Sequence, residues 1–272
     1  MHFWLRFFVV CSLANAALGQ ARPDEPSHCV RISRLVIESN SLSAAGSERI
    51  VRQFREKTYP GGEIGVRIEW ALKKVGYVNA VVDEPKFSFP TEGRDIADVA
   101  VKVTPGVQYR LGEIHILKAT VFPPDRLRHV FSQRKGDLFD ITKFGVGLER
   151  LRELYGTRGY INMVAVPVVK TDESRRIVDL VLEVDEGQTY DFGKLYLEGV
   201  EPHPGAAQAL VNSWKPLEGT RYNTVHLQQW LLAHHFDRKL IPLVSDSTKT
   251  SGDAESRRVN VTLTQWPNSI NR

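Results

Sequence analysis

Glu186-Gly187-Gln188-Thr189-Tyr190-Asp191-Phe192-Gly193-Lys194-Leu195-Tyr196-Leu197 echoes an earlier stretch, Pro105-Gly106-Val107-Gln108-Tyr109-Arg110-Leu111-Gly112-Glu113-Ile114-His115-Ile116. A second phrase behaves the same way. Val75-Gly76-Tyr77-Val78-Asn79-Ala80 returns downstream as Arg158-Gly159-Tyr160-Ile161-Asn162-Met163. The step from Tyr109 to Tyr190 nearly equals the step from Tyr77 to Tyr160. Two independent phrases at nearly one offset point to a duplicated unit of about eighty residues. A chain of 272 residues has room for three such units.

The unit is clearest between the two phrases. Tyr109 to Leu117 alternates and reads as a strand. Pro123-Pro124-Asp125 opens a helix, because proline suits a first helical turn. Ile141, Phe144, Leu148, Leu151 and Tyr155 then follow at helical spacing. Tyr160 to Val169 and Ile177 to Val184 read as a hairpin around the polar Thr171-Asp172-Glu173-Ser174-Arg175. The order is β-α-α-β-β.

The first copy repeats it: a strand at Cys29–Glu38, helices at Ser43–Lys57 and Ile64–Val75, and strands at Tyr77–Phe87 and Ile96–Val103. The third has a strand at Tyr190–Leu197 and helices at Ala206–Trp214 and Asn223–Phe236. Its final hairpin is expected at Leu240–Val244 and Val259–Leu263, and His234-His235-Phe236 stands where the Gly-Tyr phrase would be. The fold class is α+β. Each unit is a three-stranded mixed sheet with two helices on one face, bounded at 29–106, 107–187 and 188–265.

Residues 1–20 are read as a cleaved signal. One basic residue, Arg6, precedes an apolar run at Phe7–Leu13, and Ala14-Asn15-Ala16 fits the small-x-small cleavage rule. The run is too short for a bilayer span, which takes about 20 apolar residues. Cys29 would be the one cysteine of the exported chain, so no internal disulfide can form, and it is expected as a small buried hydrophobe. The formal net charge of +4 is too small to argue for nucleic acid.

These residues resemble the POTRA domains, the polypeptide-transport-associated modules of the outer-membrane protein assembly (Omp85) superfamily. The turn-Tyr-Gly-strand phrase from Glu186 to Gly199 resembles that family's junction. Leu154-Tyr155-Gly156-Thr157-Arg158-Gly159-Tyr160 resembles its passage from second helix to second strand. The resemblance implies a non-enzymatic periplasmic protein, associated with the outer membrane of a Gram-negative bacterium and serving outer-membrane protein assembly or secretion. In that family the second strand lies at the sheet edge and can add a strand from a client or a barrel partner. Here the docking residues would be Tyr77, Val78, Val81, Tyr160, Ile161, Val164 and Val166. Many members continue into a membrane barrel. The stretch after Gly187 is short against the several long strands a barrel needs, and the third unit takes most of it, so no barrel is expected.

Catalytic chemistry finds no footing in the sequence. Gly-x-Ser-x-Gly, His-Glu-x-x-His and phosphate-loop motifs do not occur. His226 and His234 could share a helix face, but no further ligand completes a metal set. Cofactors, metals and small-molecule substrates are therefore not expected. The runners-up are a structural spacer in the cell envelope and an envelope hydrolase with an unmarked site. Asn260-Val261-Thr262 matches a glycosylation triplet, read as chance within a strand.

Overall fold

The computed structural model describes residues 28–90, 95–198, 204–236, 244–245, 248–253 and 255–264. The signal at 1–20, most of the loop at 90–93 and the strand expected at 240–243 lie outside the described residues. The elements run β1 (Cys29–Glu38), α1 (Ala44–Phe54), β2 (Thr58–Pro60), α2 (Ile64–Lys73), β3 (Val81–Val82), β4 (Lys86–Ser88) and β5 (Ile96–Thr104). Next come β6 (Arg110–Leu117), α3 (Pro124–His129), α4 (Ile141–Gly156), β7 (Val164–Asp172) and β8 (Ile177–Asp185). The chain continues with β9 (Asp191–Leu197), α5 (Pro204–Trp214), α6 (Thr224–Ala233), β10 (Val244–Ser245), β11 (Thr248–Asp253) and β12 (Arg258–Leu263).

Side-chain caps fix where helices start. Ser43 Oγ accepts the Gly46 N–H ahead of α1, and Asn223 Oδ1 accepts the Val225 N–H ahead of α6. Asp140 does the same for Thr142 at the start of α4. Three sheets result. The first runs β2-β1-β5-β3, with β4 also on β5; the second runs β6-β8-β7; the third runs β10-β11-β12-β9. The β1–β5 and β9–β12 pairs are parallel, while β3 and β4 run antiparallel to β5 and β11 runs antiparallel to β12.

Backbone contacts divide the chain into two compact units. One holds Met1–His115, Phe131–Val146 and Pro167–Leu182; the other holds Ile116–Val130, Gly147–Val166 and Glu183–Arg272. In the first, Ile50, Val51 and Phe54 of α1 and Ile64, Ile68 and Leu72 of α2 share one core with Val30, Ile32, Val99 and Val101 of the sheet. In the second, Phe192, Val259, Val261 and Leu263 pack with Trp214 of α5 and with Leu227, Trp230 and Leu231 of α6. Both helices thus cover one face of their sheet, as the alternation of apolar residues requires.

The leading strands β1 and β9 are bulged, and a side-chain acceptor from the closing strand meets the leading strand at the matching place in all three sheets. In β1 the pairing slips between Ile32 and Arg34, leaving Ser33 extra; in β9 it slips across Gly193 and Lys194. Asp179 Oδ1 accepts the Glu113 N–H at 2.6 Å, and Asn260 Oδ1 accepts the Lys194 N–H at 2.8 Å. Ser33 fills the same place with a hydroxyl that donates to Asp98. A Cβ on Gly112 would come within 1.9 Å of Asp179 Oδ1, and one on Gly193 within 2.2 Å of Asn260 Oδ1. Glycine leaves room there for the acceptor side chain.

Several expectations shift. The second strand of the middle unit starts at Val164, because Tyr160 to Met163 form a turn. In the first unit the strand expected from Tyr77 to Phe87 is two short pieces, β3 and β4, parted by Asp83-Glu84-Pro85. The third hairpin pairs β11, Thr248–Asp253, with β12, so its second strand falls later than Leu240–Val244. Cys29 is exposed, since it alternates with the inward Val30 and Ile32.

Candidate docking edges and the joints beside them

The seven residues expected at docking edges separate into two groups. Val81, Val164 and Val166 lie on edge strands, with 58%, 52% and 53% of their surfaces exposed. β7 is the longest edge strand among the described residues, nine residues long with β8 as its neighbour on one side. Pro167 sits within it. A proline fits an edge strand with its nitrogen turned away from the paired neighbour. Strand directions alternate, so the N–H groups of Ala165 and Val169 turn outward as well. The corresponding edges differ elsewhere. In the first sheet the edge is split between β3 and β4, and in the third β10 pairs along part of β11.

Tyr77, Val78, Tyr160 and Ile161 belong to joints. Val78 is buried, Tyr77 packs on the first core, and Ile161 packs on the third. The Tyr160 ring meets Tyr155 edge-on at 6.1 Å. Beside these residues, α2 and α4 end in left-handed glycines, Gly76 at φ 93° and Gly159 at φ 84°. Each glycine carbonyl then takes an N–H from the next leading strand, Tyr109 to Gly76 at 2.8 Å and Tyr190 to Gly159 at 2.9 Å. Gln108 Nε2 donates to the Val75 carbonyl at 2.8 Å, and Asn162 Nδ2 donates to the Tyr190 hydroxyl at 2.5 Å. The two phrases that reveal the repeat are the two halves of this joint.

Glu186 anchors the turn that leads into the second joint. Its carboxylate accepts the N–H groups of Thr120 and Val121 at 2.8 and 2.9 Å and the hydroxyls of Thr120 and Tyr155. Partial burial raises the carboxyl's pKa, but these hydrogen bonds outweigh it and bring the group down to about 2. Burial, and then Glu186 itself, push the Tyr155 phenol well up. Nearby, the Arg126 and Arg158 guanidiniums lie 5.0 and 4.5 Å from the Phe122 ring centre.

A groove of about 380 Å³ opens over α1 and α2, lined by Phe54, Lys57, Tyr59, Arg67, Trp70 and Lys74 among others. Its lining holds no His, Cys, Asp or Glu to act as acid, base or nucleophile. His234 stacks on Trp230 at 4.4 Å, with Nδ1 against the Trp230 carbonyl, while His226 is exposed. Among the described residues no three His, Cys, Asp or Glu side chains group to hold a metal. No described helix is long and apolar enough to cross a membrane.

No curated protein matches the chain. Residues 109–187 match the POTRA family, described as a surface antigen variable number repeat. The fold is similar to POTRA domains 3–5 of BamA from Haemophilus influenzae, at TM-score 0.65 and 17% identity over 89% of this chain and 98% of that one. BamA from Haemophilus ducreyi lacking POTRA domains 1–3 also matches, at TM-score 0.43 and 18% identity over 61% of this chain and 32% of that one. POTRA1-3 of the periplasmic domain of Omp85 from Anabaena matches at TM-score 0.37 and 16% identity, over 90% of this chain and 98% of that one. The stretch from Tyr109 to Gly187 thus matches a POTRA domain, and the fold of the chain is similar to that of the BamA POTRA domains.

Proposed function

We propose that this is a non-enzymatic docking protein of three POTRA modules, 29–106, 107–187 and 188–265, which holds a polypeptide by adding a strand to β7. The observation that carries the reading is the open edge: a nine-residue strand in which alternate residues turn their main-chain groups outward, with exposed Val164 and Val166. Main-chain pairing tolerates varied sequences, while the two valines offer apolar contacts to alternate side chains of the guest. The guest is an unfolded outer-membrane client or a barrel-type partner, and the protein works in the periplasm against the outer membrane, exported by residues 1–20. The likeness to BamA POTRA domains and the family match of residues 109–187 support that setting. Val81 is a secondary contact, because the split edge of β3 and β4 gives a guest strand little continuous pairing.

The test uses a photo-crosslinking residue at position 166 and a urea-unfolded outer-membrane barrel polypeptide. Crosslinking is expected in the otherwise natural chain. It should fall about tenfold on Ala165→Pro, which removes one outward N–H and leaves the β8 ladder intact, a loss of ~1.4 kcal/mol. Far-UV circular dichroism checks that the fold survives. Crosslinking that persists unchanged in the Ala165→Pro chain would remove strand addition as the mode of binding.

A further inference from the structure

The two joints share a construction that the outer modules do not continue. Each joint needs two parts: a left-handed glycine closing the second helix, and a tyrosine opening the next strand. The helix end is the same in all three modules. Tyr77 N–H donates to the Leu72 carbonyl, Tyr160 N–H to that of Tyr155, and Phe236 N–H to that of Leu231, at 3.2, 3.2 and 2.9 Å. The residue before each donor is left-handed: Gly76 at φ 93°, Gly159 at φ 84° and His235 at φ 63°. His235 therefore stands in the glycine position of module three, and it is exposed.

The glycines are there because the next strand lies against them. A Cβ on Gly76 would sit 2.7 Å from the Tyr109 carbonyl oxygen, and one on Gly159 would sit 2.8 Å from that of Tyr190. Backbone at that range cannot yield as a flexible side-chain tip can. His235 carries that Cβ and an imidazole beyond it. The other half of the joint is absent at the first module. Arg31, Arg110 and Asp191 all donate their N–H groups to the turn before the sheet's closing strand, which aligns the three leading strands. The residue before each is Val30, Tyr109 and Tyr190. Val30 has no hydroxyl to meet an asparagine such as Asn162, which binds the Tyr190 hydroxyl.

From these positions, and using the three-module division above, we infer that the glycine–tyrosine joint is closed at both ends of the array. A further POTRA module, on the same chain or on a second copy, cannot seat on module three through this joint while His235 is present. The array thus resists end-to-end growth by the contact that builds it. Repeat proteins carry atypical terminal repeats for the same purpose. Whatever meets the far end of module three does so by other contacts.

The experiment extends the full chain. A copy of residues 186–265 is joined after residue 266, in the natural sequence and in His235→Gly. Limited proteolysis at the new joint and the rotational correlation times of labelled amides are then measured. Cleavage is expected to be about tenfold slower in the His235→Gly chain, because protease cuts the open form and the formed joint depopulates it. The added module should tumble with its neighbour only in that chain. Equal cleavage and equal tumbling of the two chains, whether both held or both loose, would overturn the inference. A second arm uses the unextended chain with Gly159→His. Faster exchange of the Tyr190 amide is expected; an unchanged rate would mean that histidine is compatible with a seated neighbour, which also overturns it.

Discussion

Among single residues, Glu186 shows how a short turn becomes rigid. Four donors converge on one carboxylate that is only partly buried, and all four favour its charged form. Its pKa falls from an ordinary 4.5 to about 2 on folding. A depressed folded value means that the charged group favours the folded state. The contribution is fully present above pH 4.5 and is lost as pH falls through that value toward about 2. Thermal midpoints measured across this window should therefore drop with falling pH, and Glu186→Gln should flatten the drop. The variant should also sit below the natural chain at neutral pH. A Gln variant whose midpoint falls as steeply as that of the natural chain would show that another carboxylate governs the window. At the β7–β8 turn, the far end of β8, Asp172 is also held below its ordinary range, by Ser174 Oγ and the Arg175 N–H, but Glu186 has more donors and is the residue to test.

Among the elements, a side-chain acceptor from the closing strand recurs at each leading strand, beside a bulge in β1 and β9. Asp98, Asp179 and Asn260 stand at equal intervals along the chain, one repeat apart. Asp179 and Asn260 each accept a main-chain N–H of the leading strand, and Asp98 accepts the Ser33 hydroxyl, so geometry and an acceptor oxygen should matter more than charge. Asp179→Asn is expected to change stability by less than about 0.5 kcal/mol. Asp179→Ala strands the Glu113 N–H and should cost about 1 kcal/mol in urea denaturation. An asparagine as damaging as alanine would mean that charge is what counts. This spacing is legible in the sequence, yet the exchange of Asp for Asn hides it, and Asn260 stands out there only as part of a glycosylation triplet. Helices are easier to read because their apolar spacing is long and their caps are polar. Strand boundaries are harder for a physical reason. Tyr160, Ile161 and Met163 have strand-like side chains, but their apolar character serves the joint, where Ile161 reaches the third core. β11 carries Thr-Lys-Thr-Ser-Gly-Asp and has no apolar alternation to reveal it; pairing with β12 places it. The open edge at β7 is half visible, since Val164 and Val166 alternate outward while Tyr160 and Ile161 do not belong to it.

Across the molecule as a whole, the glycine joints decide how far a disturbance travels. In a chain of repeats each unit is stabilised by itself and by its neighbours, and hardly by units further away. Gly76→Ala and Gly159→Ala make the test, since both place a methyl against the backbone of the following strand at nearly equal range, 2.7 and 2.8 Å. Each also forces alanine into a left-handed conformation, at a cost of roughly 1–2 kcal/mol. Hydrogen exchange read along the chain should separate them. Gly159→Ala should speed exchange at the end of α4, at Tyr190 and through α5 and α6, whose Trp214 and Trp230 share a core with Tyr190. It should leave α1 and β1 unchanged. Gly76→Ala should speed exchange at the end of α2 and at Tyr109 and leave α6 unchanged. The opposite pattern, in which either substitution raises exchange evenly from β1 to β12, would show one cooperative body in which the joints hold no separate place. The local pattern would mean that β7 can take up a guest strand while the flanking cores stay folded, which is what a protein that holds an unfolded chain requires.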